Sequence, residues 1–135
     1  MRRLLQPPGW ARPRGYANGI AVRGGTTVYV AGQVGWTADG RWEARDFAGQ
    51  FRQALANVLA VLAEAGGRPE HVVRMNWFVL DRAEYLAARN ELGAIWREKM
   101  GRNYPAMSVV EVSGLVEPEA RLEIEATAVI PEEIA

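Results

Sequence analysis

The sequence contains no cysteine and one histidine, His71. The first absence excludes disulfides, cysteine-ligated zinc, Fe–S clusters and a thiol nucleophile. The second excludes a two-histidine metal site on a helix and leaves one imidazole for any acid–base scheme. Lysine is as scarce: of 16 basic residues only Lys99 is a lysine, so Schiff-base chemistry would rest on one residue at what reads as an exposed helix end. Serine occurs only at Ser108 and Ser113, neither in a Gly-x-Ser-x-Gly elbow, which excludes a hydrolase triad of that kind. Long apolar runs are missing too. After Arg2 and Arg3 only Leu4 and Leu5 precede Gln6 and two prolines, whereas a signal peptide needs about 7 to 15 apolar residues and a membrane span about 20. A cytoplasmic protein with no membrane contact is expected. The 16 acidic residues cancel the 16 basic ones, so there is no overall attraction to nucleic acid, which is not an expected partner.

What is present is enough for one domain, 1–135, which on folding buries roughly two thirds of its unfolded surface. Prolines 7, 8 and 13 and glycines 9 and 15 keep the first fifteen residues extended over a surface. Gly19 to Val22 and Thr27 to Ala31, separated by Arg23-Gly24-Gly25-Thr26, read as a β-hairpin. The glycine-rich stretch Gly32 to Gly40 reads as a loop whose glycines permit close backbone approach.

Phe47, Phe51, Leu55, Val58 and Leu62 advance by four, four, three and four, which places them on one face of a helix. Asp46 is its N-cap and Gly66-Gly67 its stop. From His71 to Leu80 the pattern alternates, with Val73, Met75, Trp77 and Val79 on the dry side and Arg74 and Asn76 on the other. Asp81 caps a second helix to about Met100, with Tyr85, Leu92, Ile95 and Trp96 buried and Gly101 at its end. Tyr104-Pro105 leads into a strand, Ala106 to Val112, and a last strand runs from about Arg121 to Ile130.

The order is β-β-α-β-α-β-β, an α+β fold with two helices on one face of a mixed sheet. The other face, read as Arg74, Asn76, Met107, Val109, Glu111, Glu123 and Glu125, is too apolar for solvent and too charged for a core. A symmetric subunit interface with a pocket at its rim meets both demands, and predicts a homo-oligomer.

Glu123 and Glu125, two apart on a strand, point to one face roughly 6 to 7 Å apart. Such a pair supplies a general acid or base near neutral pH, or else pairs with arginines such as Arg74 in an interface. Gln33 presents an amide to a ligand, or satisfies local backbone. Tyr16 and Tyr104, beside glycine and proline turns, wall a pocket or simply pack.

Several of these segments together resemble one family. Gly15-Tyr16, Tyr29-Val30-Ala31-Gly32-Gln33, the helix from Gln50 to Gly67 with Gln53-Ala54-Leu55-Ala56-Asn57-Val58, the strand Val73 to Leu80, Asn90, Tyr104-Pro105-Ala106-Met107 and Leu122-Glu123-Ile124-Glu125-Ala126-Thr127-Ala128-Val129 occur in the order found in the Rid family, also called YjgF or L-PSP. The resemblance spans nearly the whole chain. It implies a chorismate-mutase-like α+β fold, a homotrimer with its sheets facing inward as a central barrel, and small-molecule clefts between subunits. Members are best known as imine and enamine deaminases that add water to an imine carbon and release ammonia with no metal or organic cofactor.

The resemblance also implies site residues: Glu123 as the group near the reacting water, Tyr16 and Gln33 around the substrate, Met107 as the floor of the cleft, and Asn90, which contacts the ligand or, the favoured reading, braces the fold; Tyr104 joins the substrate-binding set as the aromatic wall read above. Met107 stands where the family's Pro-Ala-Arg motif places an arginine that grips the substrate carboxylate through two charge-assisted bonds. Losing that pair costs several kcal/mol, about a thousandfold in binding. Either Arg14 or Arg102 substitutes, or the ligand lacks that carboxylate, and 2-iminobutyrate deaminase activity is expected to be weak or absent. Trp36 and Trp42 suggest an apolar cleft and an aromatic or otherwise uncharged ligand. Three function classes follow: a deaminase-like hydrolase using Glu123, a non-catalytic small-molecule-binding trimer, and, last, a ribonuclease, disfavoured by the lack of a histidine pair or basic excess.

Overall fold

The helical spacing around Phe51 produces the helix it predicts. In the computed structural model, which describes residues 2–132, Phe47–Glu64 forms helix α1. The Asp46 carboxylate accepts the Gly49 N–H at 3.2 Å, and the chain leaves the helix through Gly66 at φ +80°, a conformation that costs glycine little. Phe47, Phe51, Leu55, Val58 and Leu62 are all buried, each worth about 1.5–3 kcal/mol relative to exposure.

Four strands form the main sheet: β3 (Thr26–Gln33), β4 (Val72–Val79), β5 (Ala106–Glu111) and β6 (Leu122–Ile130), in spatial order β3-β6-β4-β5. β6 is antiparallel to both neighbours, whereas β4 and β5 are parallel. The parallel pair requires a crossover, which two helices supply, α2 (Arg82–Ala87) and α3 (Arg89–Met100). The Asp81 carboxylate caps α2 by accepting from Ala83 and Glu84 N–H at 2.9 and 3.3 Å. The second helix is thus two segments rather than one, interrupted at Ala88, whose ψ of 0° leaves the helical range. The helices cover one sheet face, enclosing Met75, Trp77, Val79, Leu122 and Ile124. This is the expected α+β architecture.

Three local expectations are corrected. First, β2 (Ile20–Val22) pairs antiparallel with an N-terminal strand, β1 (Arg2–Leu4), instead of forming a hairpin with β3, which pairs with β6. Gly24 and Gly25 both adopt positive φ, but turn chemistry specifies a reversal, not the neighbour a three-residue strand selects. Secondly, a bulge between Val72 and Arg74 shifts the phase of β4, so Val72 is buried and Val73 is not.

Thirdly, Met107, Val109 and Glu111 lie on the helix-covered side, because parallel pairing sets them beside Met75, Trp77 and Val79. The opposite, uncovered face carries Arg74, Asn76, Glu123 and Glu125 as expected, together with Phe78, Val110, Thr127 and Tyr29. Tyr29 is 79% exposed there.

Candidate functional site

The Pro/Gly-rich segment before β2 does not wander over the surface. Ala17 N–H donates to the Pro105 carbonyl at 2.9 Å and Ala17 bridges Ala106, so the segment lies along β5. Gly15, at φ +80°, makes the bend that turns Tyr16 and Arg14 toward α3. Between this segment, β5 and α3 opens a cavity of about 500 Å³.

Met107, Val109 and Trp77 form its sheet side, and Tyr85, Leu92, Trp96 and Tyr104 its walls. The rings are held in place by one another. Trp96 and Tyr104 stack with planes 7° apart and centroids 6.0 Å apart. Trp77 meets Tyr85 edge-on at 6.2 Å and rests on Phe51 of α1 at 4.8 Å. Such contacts add about 0.5–1.5 kcal/mol each beyond burial and make the walls part of the core rather than a mobile lining.

Charge at the cavity is one-sided. Arg14, Arg89 and Arg97 stand at its edge, and among the described residues no aspartate or glutamate lines it. All three arginines are exposed, and none takes part in an ion pair among the described residues. Arg89, Gly93 and Arg97 fall on one face of α3 by i, i+4, i+8 spacing, and the Arg97 Nη1 lies over the open side of Gly93. Arg89 and Arg97 belong to no motif in the sequence; their eight-residue spacing on one helix face, with Trp96 beside it, is the one signal that marks them.

Of the residues singled out in sequence, Tyr16, Tyr104 and Met107 come together here. Arg14 joins them and Arg102 does not, lining instead a smaller recess by Leu4 and Arg12. Asn90 is exposed on α3 and is not part of the cavity lining. Gln33 Nε2 donates to the Ala31 carbonyl at 3.1 Å, a local backbone contact. Trp36 and Trp42 face each other, centroids 5.8 Å apart, and do not line the cavity. The expectation of an uncharged ligand fails on the three arginines.

Glu123 occupies the other face of the sheet. It pairs in register with Phe78, and its carboxylate lies against Gly32 of β3. Glu125 accepts from Asn76 Nδ2 at 3.1 Å rather than from an arginine. Arg74, Asn76, Glu125 and Tyr29 border a second concavity of about 490 Å³ on this face. Met107 on β5 and Glu123 on β6 lie on either side of β4, three residues out of level and on opposite faces of the sheet, so one chain cannot bring both to one small ligand.

His71 is occupied locally, its Nδ1 accepting the Arg68 N–H at 3.0 Å. Among the described residues no three metal-ligating side chains come together, and no helix is long and apolar enough to cross a membrane.

Comparisons with known proteins give the same family that the segments resembled. The family model described as Endoribonuclease L-PSP matches residues 11–130. A RutC family protein of Haemophilus influenzae is 35% identical over 109 residues, 81% of this chain and 83% of that protein. A 2-iminobutanoate/2-iminopropanoate deaminase of Salmonella typhimurium is 32% identical over 114 residues, 84% of this chain and 86% of the relative. A crystal structure from Yersinia pestis, of the conserved Rid protein family and of unknown function, superimposes with a TM-score of 0.84 at 33% identity, covering 96% of this chain and 98% of that one. With its chorismate-mutase-like α+β fold and a match over most of its length, the chain belongs to the Rid (YjgF/L-PSP) family.

Proposed function

We propose that the protein is a cofactor-independent hydrolase of the deaminase type, acting on an imine, enamine or related small amino compound. The observation that carries this reading is the cavity joining Tyr16, Tyr104 and Met107 under three arginines that have no ion-pair partner among the described residues. It is supported by relatives named 2-iminobutanoate/2-iminopropanoate deaminase, among them those of Salmonella typhimurium and Escherichia coli.

In this reading the site forms between subunits of a homotrimer. The uncovered sheet face, with Tyr29, Phe78 and Val110 among charged residues, packs inward, and Glu123 of one copy closes the cavity of the next. Oligomer formation is what lets two groups on opposite faces of one sheet meet at one ligand. Tyr16, Tyr104 and Met107 contact the substrate; Gln33 and Asn90, which lie outside the cavity, take part only if a second copy brings them to it. The balanced charge and the absence of a membrane-crossing helix among the described residues support a cytoplasmic setting.

Water adds to the imine carbon as Glu123 accepts one of its protons and returns it to the imine nitrogen, giving a carbinolamine; the hydroxyl proton then passes through Glu123 to the amino group as the C–N bond breaks, releasing ammonia and the 2-oxo product. Met107 offers no cation to a carboxylate placed against β5, so 2-iminobutanoate is a poor substrate. The rival reading, a trimer that binds small molecules without turnover, is favoured by the same Met107. A ribonuclease, which the family model's description names, ranks last: His71 is engaged in its own turn and the charge is balanced.

Ammonia release from 2-iminobutanoate separates the two. The wild-type protein is expected to be slow, Met107→Arg at least tenfold faster, and Glu123→Gln inactive in either background. If Met107→Arg gains nothing and ammonia release is independent of Glu123, the binding reading replaces the enzymatic one.

A further inference from the structure

We propose that the cavity at β5 selects a planar aromatic ligand bearing a carboxylate, so that the substrate is a 2-imino acid with an aromatic side chain, its carboxylate held by Arg14, Arg89 and Arg97 at the rim. This rests on the reading of the cavity as the substrate site and goes beyond it by assigning the substrate's side chain and its anchor.

Three features carry the assignment. The first is size: about 500 Å³ lies within the range of about 300–1,000 Å³ that larger ligands fill. A four-carbon imino acid, the volume of a few waters at about 30 Å³ each, leaves most of it empty. The second is wall chemistry. Tyr16, Trp77, Tyr85, Trp96 and Tyr104 surround the space, and the Trp96–Tyr104 stack offers a flat surface backed by the core. Flat walls stabilised from behind reward a flat ligand and gain little from a short aliphatic chain.

The third is charge. Three arginines without acidic partners among the described residues border a space otherwise walled mainly by aromatic and aliphatic side chains, which leaves forked donors available to a carboxylate. Met107 is then not a lost function but part of the fit, because an arginine at 107 would occupy the space that the ring takes. The anion is gripped from the α3 side and the ring lies over Met107 and Val109.

The test separates ring from charge with three stable probes: 3-phenylpropanoate, butanoate and the neutral 3-phenylpropanamide. Each is titrated calorimetrically into the full-length protein. The expected result is that 3-phenylpropanoate binds at least tenfold more tightly than either of the others. Arg89→Gln with Arg97→Gln, both exposed and outside the core, should weaken the acid at least tenfold and leave the amide unchanged. Gly93→Leu, at a position where only Arg97 Nη1 at 3.5 Å lies within reach of a new Cβ, should fill the space and abolish binding while the circular dichroism spectrum stays native.

Equal binding of the acid and butanoate, equal binding of the acid and amide, an unaffected arginine double variant, or no binding of any probe overturns the assignment. Because the readout is binding without turnover, its failure is separable from that of the deaminase reading. Selective binding without Glu123-dependent ammonia release would remove only the enzymatic role, whereas turnover without this selectivity would remove only the aromatic one.

Discussion

The Glu123 carboxylate lies so close to Gly32 that a methyl group there would collide with its Oε2 and stand 2.7 Å from its carboxyl carbon and 2.9 Å from its Cγ. Two strands that pair in a sheet thereby place the candidate base against the backbone of β3, and only hydrogen at the α-carbon of residue 32 permits it. The backbone of Gly32 is not in the left-handed region, so alanine is conformationally acceptable and the conflict is with the glutamate alone. Gly32→Ala is therefore expected to displace the carboxylate while leaving the fold intact. Ammonia release should fall by about 10²-fold, the lower range for a misplaced acid–base group, with the urea midpoint moving little; a turnover equal to wild type would show that Glu123 need not sit against Gly32.

Gln50 is the one buried polar side chain among the described residues, 1% exposed on α1, and its amide is fully used. It donates to the Ala44 and Glu119 carbonyls at 3.2 and 3.0 Å and accepts the Arg121 N–H at 2.8 Å. These bonds tie the helix to the loop before it and to the entry of β6. Replacing it with leucine leaves three backbone groups without partners, and equilibrium urea denaturation should show a loss of about 2–4 kcal/mol.

Gly35 packs on the same residue: a Cβ there would lie 2.6 Å from Gln50 Cβ, 2.7 Å from its Cα and 2.8 Å from its carbonyl oxygen. These are main-chain neighbours that cannot swing aside, unlike the Glu123 carboxylate at Gly32. Gly35→Ala should cost about 1–3 kcal/mol by overpacking, read as a lower urea midpoint with an unchanged slope. Gly32, at the end of β3, and Gly35, in the loop after it, thus differ in kind, the first serving the site and the second the fold.

Asn57 on α1 latches the loop between them and Trp42. Its Nδ2 donates to the Val34 and Trp36 carbonyls at 3.0 and 2.8 Å, while Gln53 Nε2 donates to its Oδ1 at 2.8 Å. Asn57→Leu removes all three and should cost about 1–3 kcal/mol. Fast amide hydrogen exchange in residues 34–42, with α1 still protected, is the checking measurement.

Asp39 is held below the ordinary carboxyl value of 3.8, chiefly by the Thr37 hydroxyl and then by Arg41. The folded state therefore binds its proton less readily than the unfolded chain. The stabilisation is complete above 3.8 and disappears as pH falls through the lower folded value. The stability difference between wild type and Asp39→Asn should be constant from neutral pH to mild acid and close only below about pH 4. Urea denaturation in a pH series would reveal it, and a difference that opens on acidification would contradict the cause assigned.

The helix from Phe47 was legible because its signals agree: an apolar period, a capping carboxylate and a terminating glycine. The phase of β4 was not, since a bulge at Val72 and Val73 breaks an alternation that looks unbroken in sequence. The run Ala106 to Val112 has no alternation to read, and its sides were settled only by parallel pairing with β4. The second helix also read as continuous, because the break at Ala88 carries no proline or glycine to mark it.

Local signals therefore determined the elements, their order and, through motifs dispersed along the chain, the family. Tertiary structure decided which residues share a site. Arg14, Arg89 and Arg97 meet at one cavity because a single backbone bridge, Ala17 to Ala106, draws the N-terminal segment along β5 beneath α3. Met107 and Glu123 are separated because strand pairing assigns them to opposite faces. Periodicity is a property of neighbours in sequence and can be read there, whereas the meeting of distant side chains depends on register and crossover, which only the assembled sheet defines.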